Sequence, residues 1–253
     1  MFNDDSRERL SLLQRLVRWN YRREADSLLD IIDVNRSTIR KFIRNAAKNT
    51  KEGLFVLDAG AGEGGWKYLF PHARYQTQDN CTSYFDYSRT DYNCDITEIP
   101  ASDASFDVVL LTEVLEHLPE PLLALKELNR ILRRGGYLYL TVPQGWEEHL
   151  APRDFFRYTQ YGLRYLLENA DFRVEKIEKR GGYFKYIAFR MWHVIFMPFL
   201  NRKTPFKRIV GGLAKGLLMF LLVPVSIVCY FVDDVFDKEK KLTLGYQVVA
   251  VKD

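Results

Sequence analysis

The stretch from residue 54 to residue 64 constrains the fold most, because an apolar run there meets an acid and then alternating glycines. Residues 54–57 are typical of a buried parallel strand. Gly60, Gly62 and Gly64 lack a Cβ at positions where the backbone must turn tightly and approach a ligand closely. A strand that feeds such a loop predicts a ligand beyond its carboxyl end.

Two cofactors fit a loop of this kind, NAD and S-adenosylmethionine. The spacing satisfies the dinucleotide fingerprint if Gly65 is its third glycine and Asp79 its ribose acid. However, Asp58 lies just before the first glycine, where a carboxylate suits a cationic amino-acid tail. A diphosphate would instead need helix N–H groups. The residues therefore favour S-adenosylmethionine.

Further segments follow in a fixed order, namely a short strand leading to Asp79, Cys94-Asp95-Ile96, residues 106–118 and residues 128–143. This set resembles the class I S-adenosylmethionine-dependent methyltransferases, in particular the bacterial group that includes the ubiquinone and menaquinone enzymes. The resemblance covers residues 54–185 and returns near 243–252. It implies an α/β, Rossmann-like, seven-stranded and mostly parallel sheet with helices on both faces and an antiparallel last strand.

The resemblance also implies a cofactor site. Its residues would be Asp58, Ala59, Gly60, Gly62 and Gly64 at the methionine part, Asp79 at the ribose, Asp95 and Ile96 at the adenine, and Thr112, Glu113 and Val114 at the floor. Simpler roles stay open for the three aspartates, as a helix cap, a turn residue and a loop acid. One departure is that Pro71 cuts short the helix after the glycine loop, which predicts a more open pocket.

The acceptor side carries two candidate bases. Glu148-His149 and the run 152–159 follow the fifth predicted strand and resemble a segment common in this bacterial group. His149 is the first candidate, since an imidazole can take a hydroxyl proton near neutral pH, and His117 is the second. His117 could instead brace the next helix, and Arg157 with Asp154 could only fix a loop. Methyl transfer could also need no base at all.

An insertion before the last strand is basic and apolar. Residues 179–232 carry nine Lys and Arg and no acid, which leaves the rest of a +4 chain at −5. Two apolar tracts, 191–200 and 216–232, have aromatic ends typical of a bilayer interface. Because both ends of the insertion join one sheet, we predict a re-entrant or in-plane hairpin interrupted by Pro224. A soluble lid over the acceptor and two full crossings are the alternatives.

The predicted organisation is an N-terminal helical region (1–50), a methyltransferase core (51–185 and 237–253) and the insertion (186–236). Three scattered cysteines indicate a reducing, cytoplasmic compartment and predict no metal site. The expected acceptor is a small-molecule, lipid-linked or glycan-lipid compound, met on the inner face of an anionic membrane. Nucleic acid is disfavoured. The competing classes are a non-catalytic, membrane-docked cofactor-binding protein and an NAD-linked oxidoreductase.

Overall fold

The computed structural model describes residues 33–82, 90–196 and 205–253. Within these residues it contains seven strands and five α-helices. The strands are β1 (Phe55–Ala59), β2 (Arg74–Asp79), β3 (Tyr92–Asn93), β4 (Phe106–Thr112), β5 (Leu132–Pro143), β6 (Phe172–Arg180) and β7 (Gly245–Lys252). The helices are α1 (Val34–Asn49), α2 (Pro121–Ile131), α3 (Gln160–Glu168), α4 (Tyr183–Phe196) and α5 (Pro205–Phe236).

The seven strands form one sheet in the order β3-β2-β1-β4-β5-β7-β6. The pairs among β3, β2, β1, β4 and β5 are parallel. β7 is antiparallel to both of its neighbours. The fold prediction is therefore confirmed. The strand order reverses between β1 and β4, and ligands of such sheets bind at the carboxyl edge of that switch point.

Alternating side chains of the central strands cover both faces of the sheet. Val56 and Leu110 pack with Ile43 of α1 on one face. Leu57 and Leu111 pack on the other face, in the cluster that includes residues of α2 and α3. Strands buried on both faces read as continuous apolar runs, which is why β1 and β4 could be recognised in the sequence.

The N-terminal helices predicted before residue 33 lie outside the described residues. The last predicted helix is α1, and the side chain of Asp33 accepts the backbone N–H of Arg36 at its start. Such a cap satisfies one of the unpaired donors at a helix N-terminus. The apolar face of α1, predicted from Ile39, Phe42 and Ile43, is buried against the sheet.

The insertion is a pair of helices that contact each other, α4 and α5, which we call the hairpin. Its first helix begins at Tyr183, three residues before the predicted start. The second helix continues through Pro224, so the expected interruption there was wrong. Asp233 of α5 accepts the backbone N–H of Gly182 (2.9 Å) and of Lys185 (3.0 Å) at the start of α4. These bonds bring both ends of the hairpin to the same place on the core.

Candidate active site

The glycine loop after β1 is held against the ends of two neighbouring strands. Gly60, Gly62 and Gly64 all have positive φ, a conformation that glycine adopts without strain. A Cβ on Gly60 would lie 2.4 Å from a methyl of Val114, which follows β4. The loop therefore approaches Val114 as closely as a glycine allows, as expected for a residue on the floor of the site.

No α-helix occurs between β1 and β2, a stretch that is described throughout. The only helical element there is a single 3-10 turn, Lys67–Leu69. The helical segment after the glycine loop is therefore short, as expected from Pro71. A dinucleotide site places its diphosphate at the N-terminus of an α-helix in this position. The methyltransferases that the sequence resembles also have a helix here, so its loss does not separate the two cofactors.

Asp79 stands at the carboxyl end of β2 and faces the glycine loop. Its Oδ2 accepts the backbone N–H of Gly62 (2.9 Å) and its Oδ1 that of Cys81 (3.0 Å). The residue is half-buried. An ionised carboxylate has about four acceptor positions, so Asp79 keeps capacity for the two hydroxyls of a ribose.

Asp58 is in a very different environment, because it lies inside β1 and is fully buried. Tyr75 donates its hydroxyl to Oδ2 at 2.5 Å, while Oδ1 has no hydrogen-bond partner among the described residues. Burial raises the pKa of Asp58 to about 7, against the effect of the Tyr75 hydrogen bond. An unpaired, buried carboxylate oxygen beside the glycine loop fits a cationic amino group as its partner.

The adenine residues are placed less distinctly. Asp95 is exposed, and its Oδ1 accepts the N–H (2.9 Å) and the hydroxyl (2.8 Å) of Thr97. This is the loop-fixing role that the sequence left open for it. Ile96 is buried in the main core cluster. Both residues lie just beyond β3, the strand next to β2. Their contact with the adenine stays a prediction.

The floor residues that follow β4 are tied to parts of the chain that the sequence did not connect. Thr112 accepts the indole N–H of Trp66 at 3.0 Å. Glu113 has a positive φ and pairs with Arg180 of β6 at 2.8 Å. Arg180 also donates to Asn35 at the start of α1. This fully buried arginine therefore joins α1, β4 and β6 beneath the site.

The N-terminal end of α1 adds a cationic group that the sequence analysis missed. The guanidinium of Arg36 lies 5.0 Å from the centre of the Trp66 ring. Burial lowers the pKa of Arg36, with Arg40 acting in the same direction. Tyr68, Glu113 and Glu63 act on the pKa in the opposite direction. A cation here could pair with the carboxylate of an amino-acid tail.

His149 forms a dyad with Asp154. Its Nδ1 lies 3.2 Å from the carbonyl oxygen of Glu147 and 3.3 Å from Oδ2 of Asp154. Because a carbonyl only accepts, Nδ1 carries the proton and Nε2 has the lone pair. Arg157 binds Asp154 through two bonds of 2.7 Å and holds the pKa of that carboxyl well below its usual range. The carboxylate stays ionised and orients the ring.

His117 has a different partner for its lone pair. Its Nδ1 donates to the carbonyl of Arg153 at 2.6 Å, and its Nε2 lies 3.6 Å from Oε1 of Glu116. Glu116 is fully buried, and neither of its carboxyl oxygens has a hydrogen-bond partner among the described residues. Burial, with the neighbouring Glu113, raises the pKa of Glu116 well above its usual range, and Oε1 of this carboxyl is directed toward His117.

The two imidazoles lie edge to face with ring centres 4.7 Å apart. Glu116, His117 and His149 each offer one atom that could bind a metal ion, and these three atoms lie within 4.8 Å of one another. The groups are close enough to exchange a proton or to share a cation. The structure thus brings both predicted bases together, next to the floor residues that follow β4.

The fold and the glycine-loop site are those of a class I S-adenosylmethionine-dependent methyltransferase. Residues 21–177 match the family described as methyltransferase domain, which is more than half of the chain. The chain therefore belongs to this family, and S-adenosylmethionine is its cofactor. The matched region stops before the hairpin.

Two curated relatives match part of the chain. A fatty-acid O-methyltransferase of Mycolicibacterium smegmatis is 32% identical over 138 residues, which cover 47% of this chain and 50% of the relative. A ubiquinone biosynthesis O-methyltransferase of Coxiella burnetii is 29% identical over 137 residues, covering 44% of this chain and 58% of the relative. The chain spans about half the length of the curated relatives it matches.

Solved structures share the fold. A SAM-dependent methyltransferase from Archaeoglobus fulgidus has a TM-score of 0.52 at 16% identity, covering 88% of this chain and 97% of the other. The phosphoethanolamine N-methyltransferase 2 of Haemonchus contortus, crystallised with S-adenosyl-L-methionine, has a TM-score of 0.51 at 17% identity, covering 87% of this chain and 52% of the other. At such identities the likeness concerns the fold alone.

Proposed function

We propose that this protein methylates an oxygen of a lipid-like acceptor at the cytoplasmic surface of a membrane. The observation that carries the proposal is the exposed apolar face of α5, on a hairpin that contacts the loop bearing His149. The bound S-adenosylmethionine would supply an electrophilic methyl group. The rest of the chemistry falls to residues of this chain.

His149 is the proposed general base. Its Nε2 is left unprotonated by the bonds that Nδ1 makes to Glu147 and Asp154. It would take the proton of an acceptor hydroxyl as the oxygen attacks the methyl group, and Asp154 would stabilise the resulting imidazolium. His117 is less suited to this role because its free nitrogen faces Glu116.

The cofactor would be held by the residues predicted for it. Asp79 has acceptor capacity left for the ribose, and the glycine loop leaves room close to its backbone. The unpaired oxygen of Asp58 fits the amino group of the methionine part, and Arg36 fits its carboxylate. Opposite charges would thus meet both ends of a zwitterionic tail.

The hairpin supports a membrane-bound acceptor. Gly216–Phe236 is the one stretch, within the described part of the chain, that is long and apolar enough to cross a bilayer, and 11% of it is buried. Large apolar side chains recur on its surface at intervals of three and four residues, namely Leu217, Leu221, Val225, Val228, Phe231 and Val235. A continuous apolar face of this size is unusual on a protein surrounded by water.

The attachment of the hairpin limits how it could meet the bilayer. Asp233 joins the end of α5 to the start of α4, so both ends of the insertion lie on the same side. This favours a hairpin that enters one leaflet over a single crossing. The net positive charge of the insertion would be attracted to an anionic surface, which adds about 1 kcal/mol for each Lys or Arg close to it.

The relatives agree with an apolar acceptor. Their names refer to a fatty acid and to ubiquinone biosynthesis, and both are O-methyltransferases. Neither matched region covers half of this chain, so these names support the acceptor class and do not identify the compound. A soluble lid and a non-catalytic docking protein are the competing proposals.

The test measures transfer of an isotope-labelled methyl group from S-adenosylmethionine to two probes in anionic vesicles. The probes are a long-chain fatty acid and a catechol with a long alkyl chain, each compared with its short-chain, water-soluble analogue. We expect transfer to a long-chain probe and much less to its short analogue. Equal transfer to both lengths would contradict the lipid acceptor, and no transfer from a protein that binds the cofactor would favour the non-catalytic class.

A further inference from the structure

Two arginines hold three consecutive carbonyl groups in the loop that carries His149. Arg157 donates through Nε to the carbonyl of Trp146 (3.2 Å) and through Nη2 to that of Glu147 (2.9 Å). Arg190 of α4 donates to the preceding carbonyl, that of Gly145, at 3.1 Å. One arginine comes from the core and the other from the hairpin, so the shape of this loop depends on both.

Arg190 has further contacts that fix its own position. It pairs with the carboxylate of Glu147, and its Nε donates to the hydroxyl of Tyr186 at 3.2 Å. Its guanidinium also lies 5.2 Å from the centre of the Tyr186 ring. A planar guanidinium that is bonded and stacked in this way has little freedom left, so it can fix the groups it binds.

The loop and α4 are packed without space between them. A Cβ on Gly145 would lie 2.6 Å from the ring of Tyr186. The ring of Trp146 packs on Phe189 of α4, with ring centres 4.9 Å apart. The Trp146 ring also lies 6.2 Å from the ring of His149. A shift of α4 would therefore be transmitted to the imidazole.

We propose that Arg190 is a positioning residue, through which the hairpin sets the orientation of His149. The carbonyl of Glu147, which the loop presents to Nδ1 of His149, is the last of the three carbonyls that the arginines hold. The link continues to the exposed helix, because Asp233 of α5 binds the start of α4. Docking of α5 on a membrane would thus stabilise the arrangement of the base. This inference rests on the proposed function of His149 and of the hairpin.

The experiment compares the full-length protein with Arg190→Met, Arg190→Lys and the control Lys241→Met. Lys241 is an exposed cation at the base of the hairpin, so its removal changes the net charge equally without touching the loop. Hydrogen exchange of residues 145–149 and the ring nitrogen signals of the four histidines in the chain are measured with and without anionic vesicles. Neither readout requires an acceptor or turnover.

In Arg190→Met we expect exchange of residues 145–149 to rise about tenfold or more, the scale for losing a charged hydrogen bond. The Nδ1 proton of His149 should become shared between the two ring nitrogens, whereas Arg190→Lys should restore part of both effects. Vesicles should slow exchange of the loop in the wild type and not in Arg190→Met. Affinity for S-adenosylmethionine should stay within about twofold, since among the described residues Arg190 bonds to Gly145, Glu147 and Tyr186 and not to the glycine loop.

Unchanged exchange and unchanged histidine signals in Arg190→Met would overturn the proposal. An equal rise of exchange in β4 and β5 would also overturn it, because Arg190 would then only stabilise the fold. A protein that binds no cofactor would contradict the proposed function, while the loop measurements would still decide the role of Arg190. A response of the loop to vesicles that is the same in wild type and Arg190→Met would remove the link to the membrane.

Discussion

Asp58 and Asp79 are both acids of the predicted cofactor site, and the structure gives them opposite environments. Asp79 is half-buried and accepts the backbone N–H groups of Gly62 and Cys81. Asp58 is fully buried with one hydrogen bond, from Tyr75. The first acid is ready to accept bonds from a ligand, and the second gains a partner only when a cation arrives.

The buried carboxyl of Asp58 should make the stability of the cofactor-free protein depend on pH. Its pKa is raised from 3.8 to about 7, so its contribution is complete below about pH 4 and is lost as the pH rises through 7. The loss is at most about 4 kcal/mol, at about 1.4 kcal/mol for each pKa unit. Asp58→Asn can keep a hydrogen bond from Tyr75 and cannot ionise.

Urea unfolding at about pH 5 and about pH 8 measures this effect. We expect the wild type to lose more unfolding free energy over that interval than Asp58→Asn does. The exposed Asp95→Asn serves as the matched control and should behave like the wild type. If Asp58→Asn and the wild type lose the same amount, the buried carboxyl is ionised without cost and this account of Asp58 is wrong.

His149 and His117 should respond differently to replacement by alanine. His149→Ala should keep the affinity for S-adenosylmethionine and reduce turnover about a hundredfold or more, the usual contribution of a positioned base. His117→Ala should cost less, because its lone pair faces Glu116. Turnover with the long-chain catechol in vesicles is the measurement, because its hydroxyl must lose a proton, whereas a fatty acid is already ionised. The reverse order would exchange the roles, and small losses from both would indicate catalysis by proximity alone.

At the scale of elements, the strands and the glycine loop could be predicted, because their signals are local. β1 and β4 are apolar runs buried on both faces, and the loop glycines take positive φ. The contacts beneath the site could not be predicted in this way. Arg180 bonds to Glu113 across 67 residues and to Asn35 across 145 residues, and no local pattern marks such pairs.

The structure of the hairpin could be predicted only in part. Its composition indicated an apolar, basic insertion, and the structure has two helices there. The start of α4 was misplaced because its N-terminus is capped by Asp233, which lies 48 residues or more away in the chain. Pro224 was overrated as a break, since a long helix held at its end can contain a proline at the cost of one hydrogen bond.

The hairpin should bind anionic vesicles through two separable contributions. Charge attraction falls at high ionic strength, where the screening length is about 3 Å at ~1 M salt, whereas insertion of the apolar face does not. We expect binding that falls only in part at high salt. Binding should disappear when residues 186–232 are replaced by a short linker.

Sedimentation with vesicles at low and high salt compares the wild type with the linker variant. A variant of the same length with Leu217, Leu221 and Phe231 replaced by Ser should keep only the salt-sensitive part. A full-length protein that stays monodisperse without detergent and ignores vesicles would show that the hairpin is a soluble lid over the acceptor site.

At the scale of the whole molecule, charge and apolar surface are concentrated on one part of the chain. Residues 179–232 carry nine basic side chains and no acid, while the rest of the chain is net negative. The exposed face of α5 lies within the same segment. The cofactor-binding core and the segment proposed to meet a membrane therefore differ in charge and apolar surface, and they meet at the loop of His149.

The measurement that tests the central claim most directly is calorimetry of the isolated protein with S-adenosylmethionine and with NAD. We predict binding of S-adenosylmethionine and none of NAD. Asp79→Ala should weaken binding of S-adenosylmethionine by about 1.5–3 kcal/mol, the scale for lost hydrogen bonds to a charged group. Binding of NAD, or an unchanged affinity for S-adenosylmethionine in Asp79→Ala, would contradict the account.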